Sequence, residues 1–137
     1  MPSDTARRPY VAGNWKLWGT RAQAAAYCER LLTLLPEPAR RDADVAVCVP
    51  FTALETVAGA LAGSGVAVAA QNMHQADNGA FTGEVSAPML LELDVDAVVL
   101  GHSERRQLFG ETDRALAIGA DGSATAESEM PETKEAV

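Results

Sequence analysis

At 137 residues and 47% apolar side chains, this chain has material for one packed domain rather than several. Its net charge of −8 comes with no basic stripe, which excludes nucleic acid or an anionic membrane surface as the expected partner. Two cysteines, Cys28 and Cys48, make no metal cage, so neither a metal nor a cofactor is expected, and both read as small core residues of a reducing compartment.

The first twenty residues lack the apolar stretch of a signal peptide and no run approaches a membrane span, so the expected location is cytoplasmic. The first apolar run, residues 10–13, is a strand candidate. Thr20 with Gln23 then forms a capping box for a helix that reaches about Leu35, where Pro36 stops it. A second strand is expected at residues 45–49, and Thr52 with Glu55 repeats the capping device for a helix ending near Gly63. Val66–Ala70 is the third strand, and Ser86 opens a helix with Pro88 in its first turn. The fourth strand, residues 97–100, leads into a helical turn at Ser103–Phe109, and Asp113 opens a last helix that runs out near Gly119. From Asp121 onward five acids face one base, Lys134, and the apolar pattern stops. Residues 1–119 therefore read as the domain and residues 120–137 as an acidic, disordered tail.

The four strands are apolar runs rather than alternations, as strands covered on both faces are. The order β-α-β-α-β-α-β-α is that of repeated right-handed βαβ units, hence an α/β fold with a parallel sheet. Periodicity leaves open whether four units make an open sandwich or half a barrel.

In such sheets chemistry collects at the C-terminal ends of the strands. Asn14-Trp15-Lys16 follows the first strand, and Lys16 is one of only two lysines in the chain. A lysine there can set a compact charge against an oxyanion or phosphate, although an isolated loop lysine is ordinarily just solvated. Asn14 can hold its ammonium. His102 follows the fourth strand at a helix N-terminus, whose partial positive charge disfavours imidazolium. A neutral imidazole there can donate to a carbonyl oxygen; the plainer role is to cap the helix. Glu104 either caps that turn or pairs with Lys16, and His74 is expected to be merely exposed.

Gly13-Asn14-Trp15-Lys16, Gln71-Asn72, Asn78-Gly79-Ala80-Phe81-Thr82-Gly83-Glu84 and Val99-Leu100-Gly101-His102-Ser103-Glu104-Arg105-Arg106 together resemble the triosephosphate isomerase family, and Phe109-Gly110-Glu111-Thr112-Asp113 continues the match. The resemblance implies a partial (β/α)8 barrel of about four βα units, because the closed barrel takes about 250 residues. It implies a triose phosphate substrate, with Asn14 and Lys16 contacting it, His102 as neutral electrophile and Glu104 as supporting carboxylate. It makes residues 73–84 look like the family's dimer loop, with Thr82, Glu84 and Arg105 at the interface of a homodimer. The family's carboxylate base follows a sixth strand, and its lid and phosphate-holding glycine turns come later still. None matches this sequence, so the chain alone is expected to be inactive. Ala117-Ile118-Gly119 with Thr125 faintly echoes the far side of that lid.

Two other readings differ in class. A non-enzymatic phosphate-binding or oligomerising module would reuse the same residues. An open-sheet nucleotide binder is disfavoured, since no glycine-rich fingerprint follows the first strand. The two unpaired strand edges of a half barrel favour self-association.

Overall fold

Four parallel strands, β1 (Tyr10–Asn14), β2 (Asp44–Val49), β3 (Val66–Ala70) and β4 (Ala97–Val98), hydrogen-bond in the order β1-β2-β3-β4 in the computed structural model, which describes residues 7–113. Each strand lies beside its predecessor in sequence, as repeated βαβ units require. The helices are α1 (Arg21–Leu34), α2 (Glu37–Asp42), α3 (Leu54–Leu61), α4 (Ala87–Glu92) and α5 (Ser103–Phe109). The parallel α/β sheet agrees with a partial barrel of four βα units. The helix expected beyond Asp113 and the tail at residues 120–137 lie outside the described residues.

The capping box of α1 forms in full: Gln23 N donates to Thr20 Oγ1 at 3.3 Å and Thr20 N to Gln23 Oε1 at 3.0 Å. Two of the orphan donors at that helix end are thereby satisfied. The box expected at Thr52 does not form. Thr52 sits inside a 3₁₀ turn, Phe51–Ala53, and the N-cap position of α3 falls to Ala53, which has no side-chain acceptor. The chain feeds directly from that turn into α3, leaving no free first turn for a threonine to cap. Pro36 ends α1 as expected, but α2 follows at once, with Pro38 pre-set for its opening turn.

In the parallel register, Val45, Val47 and Val49 share a face with Val66, Val68 and Ala70. That face packs under α1 and α3, and its core includes Cys28, Val47, Val49, Leu54, Val57, Leu61 and Val68. The opposite face of β2 and β3 is lined by small residues, with Ala46, Cys48 and Ala69 buried. Both cysteines are buried free thiols, and desolvation pushes each thiol pKa up. Strands buried on both faces are what the apolar runs implied, and β2 and β3 meet that expectation. β1 does not: among the described residues it is an edge strand, every residue of it is exposed, and Tyr10 is 61% accessible. β4 is shorter than expected, although Val99 N still donates to Ala70 O at 2.9 Å. Among the described residues no helix is long and apolar enough to cross a membrane.

Beyond β1, Trp15 packs edge-on against Trp18 and Tyr27, with centroids 5.0 and 4.8 Å away. Gly19 has φ +107°, and a Cβ placed there would lie 2.8 Å from the Trp15 ring. Gly19→Ala is therefore expected to lose about 1–3 kcal/mol in urea unfolding, combining backbone strain with displacement of the indole. Gly63→Ala, at φ +73° but facing open space, should lose less. Equal losses would mean that the Trp15 contact carries none of the effect.

Candidate functional site

The C-terminal ends of β1, β3 and β4 open on one hollow of about 400 Å³, lined by Asn14, Lys16, Gln71, His102, Glu104 and Arg105 among others. A larger hollow, about 640 Å³, lies at the opposite ends of the strands among Glu55, Glu92, Asp94 and Asp96. Size favours the second, but the first holds both a cation and an imidazole where parallel sheets place their chemistry.

Lys16 adopts a left-handed backbone, φ 58°, uncommon for a residue with a side chain. Its N–H donates to Asn14 Oδ1 at 3.3 Å, and its ammonium donates to Glu104 Oε1 at 2.6 Å. Asn14 thus holds the lysine's backbone rather than its ammonium, and of the two roles foreseen for Glu104 the structure takes the ion pair. The bond from Lys16 is the main reason that the Glu104 carboxyl pKa is lowered from its ordinary 4.5. A carboxylate lowered in this way adds stability above its unfolded pKa and loses it as pH falls through the folded value. The pair is half exposed, so its share of stability is small. The expected result is a Glu104 ¹³C carboxyl titration midpoint below 4.5, rising toward 4.5 in Lys16→Met. An unchanged midpoint in that variant would remove Lys16 as the cause.

His102 is the N-cap of α5, and its Nδ1 accepts from Glu104 N at 3.1 Å. An Nδ1 whose lone pair is engaged this way leaves the ring proton on Nε2. Of the two roles foreseen for His102 the structure shows the helix cap at Nδ1, which leaves Nε2 as the nitrogen that could donate. Glu104 Oε2 stands 3.6 Å from Nδ1, beyond hydrogen-bonding distance.

Arg105 also lines the hollow, but its Nε is tied to Glu111 Oε2 at 2.8 Å and its guanidinium lies 4.5 Å over the Phe109 ring. Thr82 and Glu84 are not part of this hollow. They are exposed and line a separate one of about 290 Å³ together with His74. The expectation of an exposed His74 is overturned: the residue is 6% accessible. Its backbone N bonds Val85 O at 2.8 Å, its Nδ1 accepts from Ala76 N at 3.0 Å, and its ring lies 4.1 Å from that of Phe81. The polar composition around His74 concealed this, because the ring is buried by the loop folding back on itself.

Sequence reasoning placed Gln71 in a motif but gave it no role. In the structure its Nε2 lies 3.0 Å from Asn14 Oδ1, 3.1 Å from Lys16 O and 3.2 Å from Cys48 O. The only advance signal was a long amide side chain directly after a buried strand.

Sequential parallel βα units are the arrangement of a partial α/β barrel, with Lys16 after the first strand and His102 after the fourth lining a candidate site at the strand C-termini. The family model for triosephosphate isomerase matches residues 9–128, and this chain belongs to that family. The triosephosphate isomerase of Acaryochloris marina is 53% identical over 110 residues, covering 80% of this chain and 45% of the relative. That of Carboxydothermus hydrogenoformans is 51% identical over 110 residues, covering 80% and 43%. That of Trichormus variabilis is 47% identical over 110 residues, covering 80% and 45%. The chain thus spans less than half the length of these curated relatives, and the match lies in their N-terminal part.

Proposed function

We propose that this chain carries the lysine–histidine side of a triosephosphate isomerase site, which interconverts glyceraldehyde 3-phosphate and dihydroxyacetone phosphate in glycolysis and gluconeogenesis. The supporting observation is the meeting of Lys16 and His102, from opposite edges of the sheet, in one hollow. The reaction moves a proton between adjacent carbons through an enediolate, so negative charge grows on the carbonyl oxygen. A lysine charge and an Nε2–H donor are the groups that stabilise such an oxygen. In this family, itself the standing example of a neutral imidazole electrophile, His102 takes that part.

A carboxylate base is also needed. Among the described residues Glu104 is the one carboxylate lining the hollow, and it is held by Lys16. We assign the base to the part of the family's chain that this sequence does not match, after the sixth strand, so the 137-residue chain alone turns over negligibly. Thr82, Glu84 and Arg105 are assigned to a contact between copies in a cytoplasmic homodimer, following the family.

The test is turnover of glyceraldehyde 3-phosphate by the purified chain, alone and mixed with a polypeptide carrying the rest of the Acaryochloris relative. Turnover only in the mixture supports the proposal. Phosphate binding without turnover in either sample favours the non-enzymatic module. Turnover by the chain alone that survives His102→Ala would overturn the assignment.

A further inference from the structure

We infer that Gln71 is a positioning residue, whose side-chain amide clamps Asn14 and the strained backbone of Lys16 so that the lysine charge is held where the site needs it. A residue in the left-handed region costs about 1–3 kcal/mol and persists only where its surroundings over-determine it. Lys16 is that residue, at φ 58°. Two bonds hold it: its N–H to Asn14 Oδ1, and its carbonyl to Gln71 Nε2. Gln71 also donates to the same Asn14 oxygen, so both restraints on Lys16 run through one amide. The third contact, to Cys48 O, anchors that amide to buried β2. Cys48 O meanwhile accepts from Trp15 N at 3.0 Å, which fixes the residue just before Lys16.

Three oxygens around one terminal atom settle which end of the amide is nitrogen, since the carbonyl end would face only other acceptors. The two protons of Nε2 are shared among three acceptors on β1, on β2 and on the turn after β1. A hydrocarbon of the same length would fill the space and bond none of them. Lys16 would then relax from its strained φ, and its ammonium would leave Glu104. The inference rests on the proposed function only for what the lysine charge is used for; the clamp itself is read without turnover.

The experiment is ¹³C carboxyl titration of Glu104 in the full 137-residue chain carrying Gln71→Met, with Gln71→Ala as a second variant in case the thioether crowds the site. Amide exchange at Val47 and Val68 is followed in the same samples. The wild type should titrate below 4.5, and either variant should shift upward toward 4.5 while the β2 and β3 amides keep their protection. A Glu104 titration that stays at the wild-type position in a folded variant overturns the inference. Loss of Val47 and Val68 protection along with the shift also overturns it, because Gln71 would then merely support the sheet. A failed turnover test together with a shifted Glu104 leaves the clamp standing and removes only its proposed use.

Discussion

His102→Ala should lower kcat of the mixture of this chain and its complementing polypeptide by roughly 10²–10³-fold, with a smaller change in KM. The reason lies in which nitrogen the fold leaves available. Nδ1 is occupied by the Glu104 N–H, so the ring cannot rotate its proton away from Nε2 without abandoning the helix cap. A donor fixed in this way meets the developing oxyanion without reorganising, and it gains more from the transition state than from the ground state. Loss of that gain appears in kcat rather than in KM. The alanine also removes an N-cap, which costs about 1 kcal/mol of stability, so rates must be taken per folded molecule. His102→Gln keeps an amide donor of similar reach and should recover part of the lost rate. A kcat within threefold of wild type in His102→Ala, a rise of less than about 1 kcal/mol in the barrier, would remove the imidazole from the chemistry.

The strands and most of the helices were legible because their signals are local. The apolar runs at β2 and β3 and the Thr20–Gln23 capping box depend on residues close together in sequence, and the structure forms them. Lys16 and His102 were legible for a related reason: position at a strand's C-terminal end follows from the strand assignment alone. What the sequence hid depends on groups far apart. The Thr52 cap failed because the chain takes a 3₁₀ turn over Phe51–Ala53, which shifts the N-cap of α3 to Ala53. The burial of His74 needed the loop to fold onto its own Phe81. The work of Gln71 joins residues 57, 55 and 23 positions away, and no local pattern announces a bond of that kind. β1 read as a covered strand because its composition suits one; among the described residues only β2 flanks it, and its side chains stay exposed.

Leu54→Ala should be the most damaging single truncation in the helical layer, destabilising the chain by about 2–5 kcal/mol. Leu54 is 1% accessible and is the largest of the fully buried side chains. It opens α3 immediately after the 3₁₀ turn, in the cluster that joins α3 to Cys28 of α1 and to Val47 and Val49 of β2. The turn and the helix begin together, so a cavity there loosens the entry to α3 as well as its packing. Total stabilities of such domains run at about 5–15 kcal/mol, so the loss is a large fraction of the whole. Thermal unfolding should shift down by roughly 10 °C or more. Leu34→Ala, at an exposed position near the end of α1, should stay within about 0.5 kcal/mol of wild type and controls for the chemistry of the substitution. The effect also reaches the site, because the packed layer under β2 holds the Cys48 carbonyl to which Gln71 and Trp15 both attach. A destabilised Leu54→Ala chain should therefore show its first local change at the Trp15 and Lys16 amides rather than at α5. Urea unfolding with and without the substitution checks the magnitude, and a loss under about 1 kcal/mol would mean that the cluster collapses to fill the space.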